Sequence, residues 1–331
     1  MTTMTDDVVR LLARVTASTP LTDHDGRSGA DIERAVLDDG TGVVIKRARR
    51  EDDLVMLASD DDAGREAVLW ATGVLDRLPQ SITHSVLAAG WVDDELVTVM
   101  RDLGASMPRW DDTFTGDQLS RTFAAVRRMH RSFADGPPAG LCDLKTRLTL
   151  FAPERLAPLA SHHNPLPRAI LRGWERFVND VESDVAEAVM TALRDPAPLL
   201  ESLAVAPTTL LHGDLILVNV SFGHDQITLL DWGLATAGPA VVDFVGFLVS
   251  SSSRIDQPYD EQLDQVRAAC GPWHDERLLQ AALFWALLEL GWNLALNAAE
   301  HPDPAERVIA RRDLAWWSTR ARDALDAGVA G

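Results

Sequence analysis

Apolar residues recur along this 331-residue chain with two periods, and the period changes near Met100–Gly104. A first helix is expected over Asp6–Ala17, with Val8, Val9, Leu11, Leu12 and Val15 on one broad face. Short runs follow. Ile32–Leu37 and Val43–Arg47 read as strands joined by the turn "DDGTG". The segment "DDDAGREAVLWATGVLDRLP" opens with acids, continues with helix formers and stops at Pro79, as a helix does. Two more strands flank the turn Asp93-Asp94. Residues 1–102 therefore predict a small antiparallel sheet crossed by one helix.

Beyond that point the spacing is helical. Gln118–Phe133 places Leu119, Phe123, Val126, Met129 and Phe133 on one face. Arg168–Leu193 reads as one long helix through Ile170, Trp174, Phe177, Val181, Val185 and Val189, and further helices are expected over 260–269, 275–299 and 303–326. The exception is Leu210–Gly233, "LLHGDLILVNVSFGHDQITLLDWG", where polar residues stand between two strand-like runs. The class expected is α+β in two lobes, 1–102 and 103–331. The apolar stretch Leu278–Ala299 is long enough to span a bilayer, but it carries Gln280, Glu289, Asn293 and Asn297, which favours a buried helix.

Charge narrows the partners. The net charge is −19, so a phosphate backbone would be repelled and nucleic acid is not expected as a partner. The acidic field would suit a cationic substrate, although a solvated acidic surface is the simpler account of it. The two cysteines, Cys142 and Cys270, form neither a disulfide framework nor a metal cluster. "MTTMTDDVVRLLARV" lacks the basic start and apolar core of a signal peptide, so a cytoplasmic protein is expected.

The chemistry gathers in Leu210–Gly233. Asn219 follows Asp214 by five residues and Asp231 follows it by seventeen. "VNVSF" and "QITLLD" can pair around "GHD", which would hold Asn219 and Asp231 together at strand ends. An amide and a carboxylate are hard oxygen ligands suited to Mg²⁺. Asp214 would stand apart from them, free to accept a proton from a hydroxyl. No Gly-x4-Gly-Lys-Ser/Thr loop, His-Glu-x-x-His or Gly-x-Ser-x-Gly occurs. His162-His163 reads as a solvated loop pair.

This arrangement resembles the catalytic segment of the protein-kinase-like fold, and His-Gly-Asp with Asp-Trp-Gly is similar to the aminoglycoside phosphotransferase family. "GPAVVDFVGFL" adds Asp243 at the place where the family carries an aspartate. The resemblance implies a bilobal kinase-like fold, ATP and Mg²⁺ as cofactors, and a small-molecule hydroxyl acceptor. It makes Asp214 the catalytic base and Asn219 and Asp231 the metal ligands. His212 would hold the loop by hydrogen bonds, and Asp243 would brace it. Lys46, at the end of "VVIK", would hold the ATP phosphates with Glu66 as its partner. Ser28 and Gly29 in "DGRSGAD" would cover the phosphates, and Met100–Asp102 would meet the adenine edge through the backbone.

The acceptor is less constrained. Trp285, Glu289 and Trp292 lie at i, i+4 and i+7, so they share a helix face that could receive an amine, or else form a core stripe with one polar tip. Asp256 in "SSSRIDQPYDEQLDQ" is a further candidate acid. Ile216-Leu217-Val218 departs from common antibiotic-kinase patterns and puts the acceptor class in doubt. Three readings stand: a kinase of an aminoglycoside-like antibiotic conferring resistance, a kinase of a metabolite such as an amino sugar, choline, ethanolamine or homoserine, and a nucleotide-binding pseudokinase.

Overall fold

The computed structural model describes residues 4–22, 26 and 28–329. Helix α1 (Met4–Leu12) leads into β1 (Val15–Pro20), β2 (Asp31–Leu37) and β3 (Gly42–Arg49). After α2 (Leu54–Ala58) and α3 (Arg65–Ala71) come β4 (Ile82–His84), β5 (Val86–Val92) and β6 (Glu95–Arg101). Five of these strands form an antiparallel sheet in the order β1-β2-β3-β6-β5. Strand alternation gives the sheet two apolar faces. Ala35, Leu37, Val43, Ile45, Val97 and Val99 pack on one side with Val8 of α1. Ala48, Ala89, Leu96 and Met100 join the main core on the other.

The remainder is largely helical: α4 (Gly116–Ser132), α5 (Leu144–Leu148), α6 (Pro153–Leu156), α7 (Leu166–Asp180), α8 (Ser183–Arg194) and α9 (Ala197–Leu203). Four short strands interrupt it: β7 (Thr208–Leu211), β8 (Val220–Phe222), β9 (Ile227–Leu229) and β10 (Thr236–Pro239). Then come α10 (Val241–Ser251), α11 (Tyr259–Cys270), α12 (Glu276–Glu300) and α13 (Pro304–Asp326). The β8–β9 hairpin expected from the sequence is present, and β4 adds to β9 in parallel, tying the hairpin to the N-terminal part. Helix α12 is long and apolar enough to cross a membrane, and 83% of that span is buried inside the protein, against α7, α10 and α13. The class is α+β, with an antiparallel N-terminal sheet and a helical C-terminal part.

Two expectations are corrected. The first helix ends at Leu12 rather than Ala17, because β-branched Val15 and Thr16 enter an edge strand that pairs with β2 from Val15↔Leu37 onward. The long helix over 168–193 is two helices, broken at Val181, which is extended with ψ 153°. The apolar spacing runs through the break, so periodicity alone hides it. Glu182 and Asp184, at the start of α8, are both paired with Arg322 of α13, which fixes the second helix independently of the first.

Candidate active site

A cleft of about 1300 Å³ runs between the sheet and the helical part. In β3 the alternation that buries Val43 and Ile45 on the outer face turns Val44 and Lys46 into the cleft. The Lys46 ammonium donates to Asp231 Oδ1 at 3.0 Å, bridging residues 185 apart in sequence. Burial opposes its charge, but the carboxylates of Asp231, Glu66 and Asp53 outweigh that and raise its pKa. The expected direct bond between Lys46 and Glu66 is replaced by this contact. Glu66, buried in α3, instead accepts from Thr98 Oγ1 at 3.1 Å. Thr98 is the register partner of Lys46 across β3 and β6. Burial pushes the Glu66 carboxyl up, with the Lys46 charge opposing.

Asp231 occupies the left-handed region, φ 60°, ψ 74°, at a position where most non-glycine residues are strained. Burial would raise its pKa, but the Lys46 charge and hydrogen bond hold it below the usual carboxylate range. Behind it, Trp232 is fully buried, its ring 4.5 Å from that of His212. The Gly233 carbonyl accepts from Arg65 of α3.

The loop after β7 is fixed from three sides. Gly213 has φ +79°, and a Cβ there would lie 1.8 Å from the Leu234 carbonyl oxygen, so only glycine fits. The buried Asp243 carboxylate accepts from the backbone N–H groups of His212 at 2.8 Å and Gly213 at 3.0 Å, and bonds His130 Nε2 at 2.9 Å. Burial works against that charge, but the His130 bond outweighs it and holds Asp243 below its ordinary pKa. From below, Arg147 Nε of α5 donates to the Gly213 carbonyl at 2.5 Å. Its other nitrogens grip Glu289, one bond being 2.8 Å.

On this loop, Asp214 does not stand apart from Asn219: the Asn219 amide donates to Asp214 Oδ2 at 3.0 Å and to its carbonyl at 2.9 Å. That leaves the Asn219 amide oxygen to ligate a cation. The Leu230 N–H donates to the Asn219 carbonyl, which brings Asn219 beside Asp231. The donor set, one amide oxygen and the partly exposed Asp231 carboxylate, fits a hard divalent cation. Burial, and then the nearby Asp231 charge, push Asp214 up to about 6.

Other expected residues fall in different places. Ser28 lines the cleft, and its carbonyl accepts from the Leu54 N–H at 2.7 Å. Gly29 does not line it. At φ +112°, its missing Cβ lets the Asp52 carbonyl come within 2.4 Å of where that atom would stand. Asp25 and Arg27 of the same segment lie outside the described residues. Met100 and Asp102 line the cleft, and the Asp102 carboxylate pairs with Arg34 at 2.7 Å. The His212 backbone N–H holds the loop by donating to Asp243. Asp256 is corrected: it is exposed, does not line the cleft, and accepts the Gly116 N–H of the first turn of α4 at 2.7 Å, beside the Thr115 N-cap. Glu289 is not a free acid, since Arg147 neutralises it. Trp285 and Trp292 are buried wall residues, Trp285 beneath the Arg147 guanidinium at 5.6 Å. His162 and His163 meet Asp52, but both His162 ring nitrogens are already engaged, with the Glu51 carbonyl and the Asn164 N–H.

Arg147 and His130 escaped the sequence reading. The signal for His130 is present: it lies seven residues after Phe123 and four after Val126 on the buried stripe of α4, where a polar side chain requires a partner. For Arg147 the signal is a lone arginine inside "LKTRLTLF".

This geometry agrees with sequence and fold comparison. Residues 96–279, more than half of the chain, match the profile of the APH phosphotransferase enzyme family, and the chain belongs to that family. No curated protein sequence matches the chain. The fold is similar to that of an aminoglycoside phosphotransferase from Alicyclobacillus acidocaldarius, with TM-score 0.53, 14% identity, and coverage of 96% of this chain and 94% of that one. A microcompartment-associated aminopropanol kinase gives TM-score 0.56 at 13% identity, covering 98% of each chain. A spectinomycin phosphotransferase in complex with ADP and spectinomycin gives 0.54 at 13% identity, covering 94% and 93%. At these identities the likeness establishes the protein-kinase-like fold. The protein is a small-molecule kinase by family.

Proposed function

We propose that the protein transfers the γ-phosphoryl group of ATP to a hydroxyl of a small molecule, with residues 1–102 serving the nucleotide and 103–331 serving catalysis and the acceptor. The observation that carries this reading is the convergence of Lys46, Asp214, Asn219 and Asp231 on one cleft. Lys46 supplies positive charge to the phosphates, and Glu66 keeps its ammonium in place by charge. Asn219 and Asp231 would hold Mg²⁺, which when bound neutralises phosphate charge. ADP and spectinomycin, bound by one structural neighbour, are a nucleotide and a small-molecule acceptor of the kind proposed.

Asp214 accepts the hydrogen bond of the attacking hydroxyl, orients it in line, and takes its proton as the new bond to the γ-phosphorus forms and the bond from that phosphorus to the β–γ bridging oxygen breaks, releasing ADP. Its carboxylate is held by a neutral amide rather than a cation, so it keeps the basicity the role needs. Presence of all four polar groups favours an active kinase over a pseudokinase. Asp214→Ala should lower turnover by about 10²–10⁴-fold with nucleotide affinity retained, measured by ADP release and by titration with a nonhydrolysable ATP analogue. Near-normal turnover in that variant would remove the assignment.

A further inference from the structure

The helical wall of the cleft opposite the sheet is built by α10, α12 and α13. It contains four carboxylates: Asp243, held by His130 and the His212 and Gly213 N–H groups, and Glu289, Glu306 and Asp313. Each already has a partner within the chain. Glu289 is bidentate with Arg147, both buried. Glu306 accepts from Arg254 at 2.6 Å, the pair about three-quarters buried. Asp313 accepts from the Tyr259 hydroxyl, and burial pushes its carboxyl up, toward the neutral form. Asp112 is the remaining acid on this side. It is exposed at the rim and accepts the Arg109 N–H.

The polar pair that the wall does offer to the cleft is neutral. Asn297 donates to Asn293 at 3.0 Å, which leaves the Asn297 amide oxygen and the Asn293 amide N–H groups for a hydroxyl or carbonyl of a ligand. Around these lie Phe151, Leu290, Leu294 and Ile309. To pair with these acids, a polycation would have to open the Arg147–Glu289 and Arg254–Glu306 pairs and leave the arginines without their counter-charges.

We propose, building on the kinase reading, that the acceptor is an uncharged, oxygen-rich hydroxyl compound with an apolar face, and that the site selects against polycations despite the net charge of −19. The acidity belongs to the outer surface and not to the acceptor wall.

The test is calorimetric titration of a tetracationic aminoglycoside near physiological ionic strength, with and without AMP-PNP, into the wild-type protein and Arg254→Gln. The wild type should show no saturable binding up to about 1 mM. Arg254→Gln, which leaves Glu306 without its cation, should bind at least about tenfold more tightly. Saturable, salt-sensitive binding to the wild type overturns the proposal, and so does identical behaviour of the two proteins. In a second arm, ADP release is measured with uncharged glycosides and nucleosides and with amine-bearing versions of the same scaffolds. Stimulation by the uncharged set, with a salt-independent KM, supports the proposal, and stimulation confined to the amines overturns it. If neither set stimulates, the calorimetric arm decides. Failure of the kinase reading is separate: it shows as absence of AMP-PNP binding in the wild type.

Discussion

The two ends of the cleft handle charge in opposite ways. At the sheet end, Lys46 and Asp231 form one pair across the cleft, partly exposed, and in the proposed function each would exchange the other for a triphosphate or a metal ion. At the helical end, Arg147 and Glu289 form a pair closed on itself, about a twentieth and a tenth exposed. The first pair is poised for ligands. The second holds the loop that carries Asp214, because the same arginine also bonds the Gly213 carbonyl. An ion pair lining a cleft is therefore not by itself a binding feature: what matters is how much solvent each partner keeps.

The sharpest way to break this contrast is at the closed pair. Glu289→Ala leaves Arg147 buried without its counter-charge and should destabilise the fold by about 3–5 kcal/mol. The double variant Arg147→Met with Glu289→Leu should recover most of that stability in denaturant unfolding, to within about 1 kcal/mol of wild type. Turnover should stay low in the double variant, because the Gly213 carbonyl has lost its donor. Full recovery of turnover would reduce the pair to packing.

A smaller effect sharpens the other side. Asp214 titrates at about 6 in the folded protein against an ordinary value of 3.8. The unfolded chain therefore releases this proton first, and ionised Asp214 disfavours folding increasingly from pH ~4 to ~6, after which the cost is constant. In metal-free protein, Asp214→Asn should raise stability by about 1–2 kcal/mol at neutral pH, discounting for its partial exposure, and by nothing near pH 4. A gain that is flat with pH would contradict the burial of this carboxylate. The smallest effect is expected at Asp256, which does not line the cleft: Asp256→Ala should remove the acceptor of the Gly116 N–H in the first turn of α4 and cost about 1 kcal/mol with KM unchanged.

The residues of the sheet end were readable because local rules govern them. Val-Val-Ile-Lys announces a strand by its composition, and the period of two decides that Lys46 leaves the face where Val43 and Ile45 pack. The spacing of Asn219 and Asp231 announces a hairpin, because a short turn between apolar runs permits little else. The wall residues stayed open between two readings for a related reason. Trp285, Glu289 and Trp292 do share a helix face, as their spacing requires, but spacing carries no information about what stands opposite. Arg147 lies 142 residues away from Glu289 in sequence. The break at Val181 was hidden likewise, since the apolar period continues across it while Arg322 fixes the next helix from a distant part of the chain.

By itself, then, the sequence determined the two-part α+β architecture, the strand that presents Lys46 and the order and spacing of Asp214, Asn219 and Asp231. Those follow from side-chain periodicity and turn chemistry within a few residues. Only the tertiary structure decided which charges are available: that Lys46 meets Asp231 before Glu66, that Asp243 holds the His212–Gly213 backbone, and that the acids of the helical wall are already matched. Charge pairing in a buried site depends on distance and exclusion of water, and both are set by contacts between segments that the chain keeps far apart.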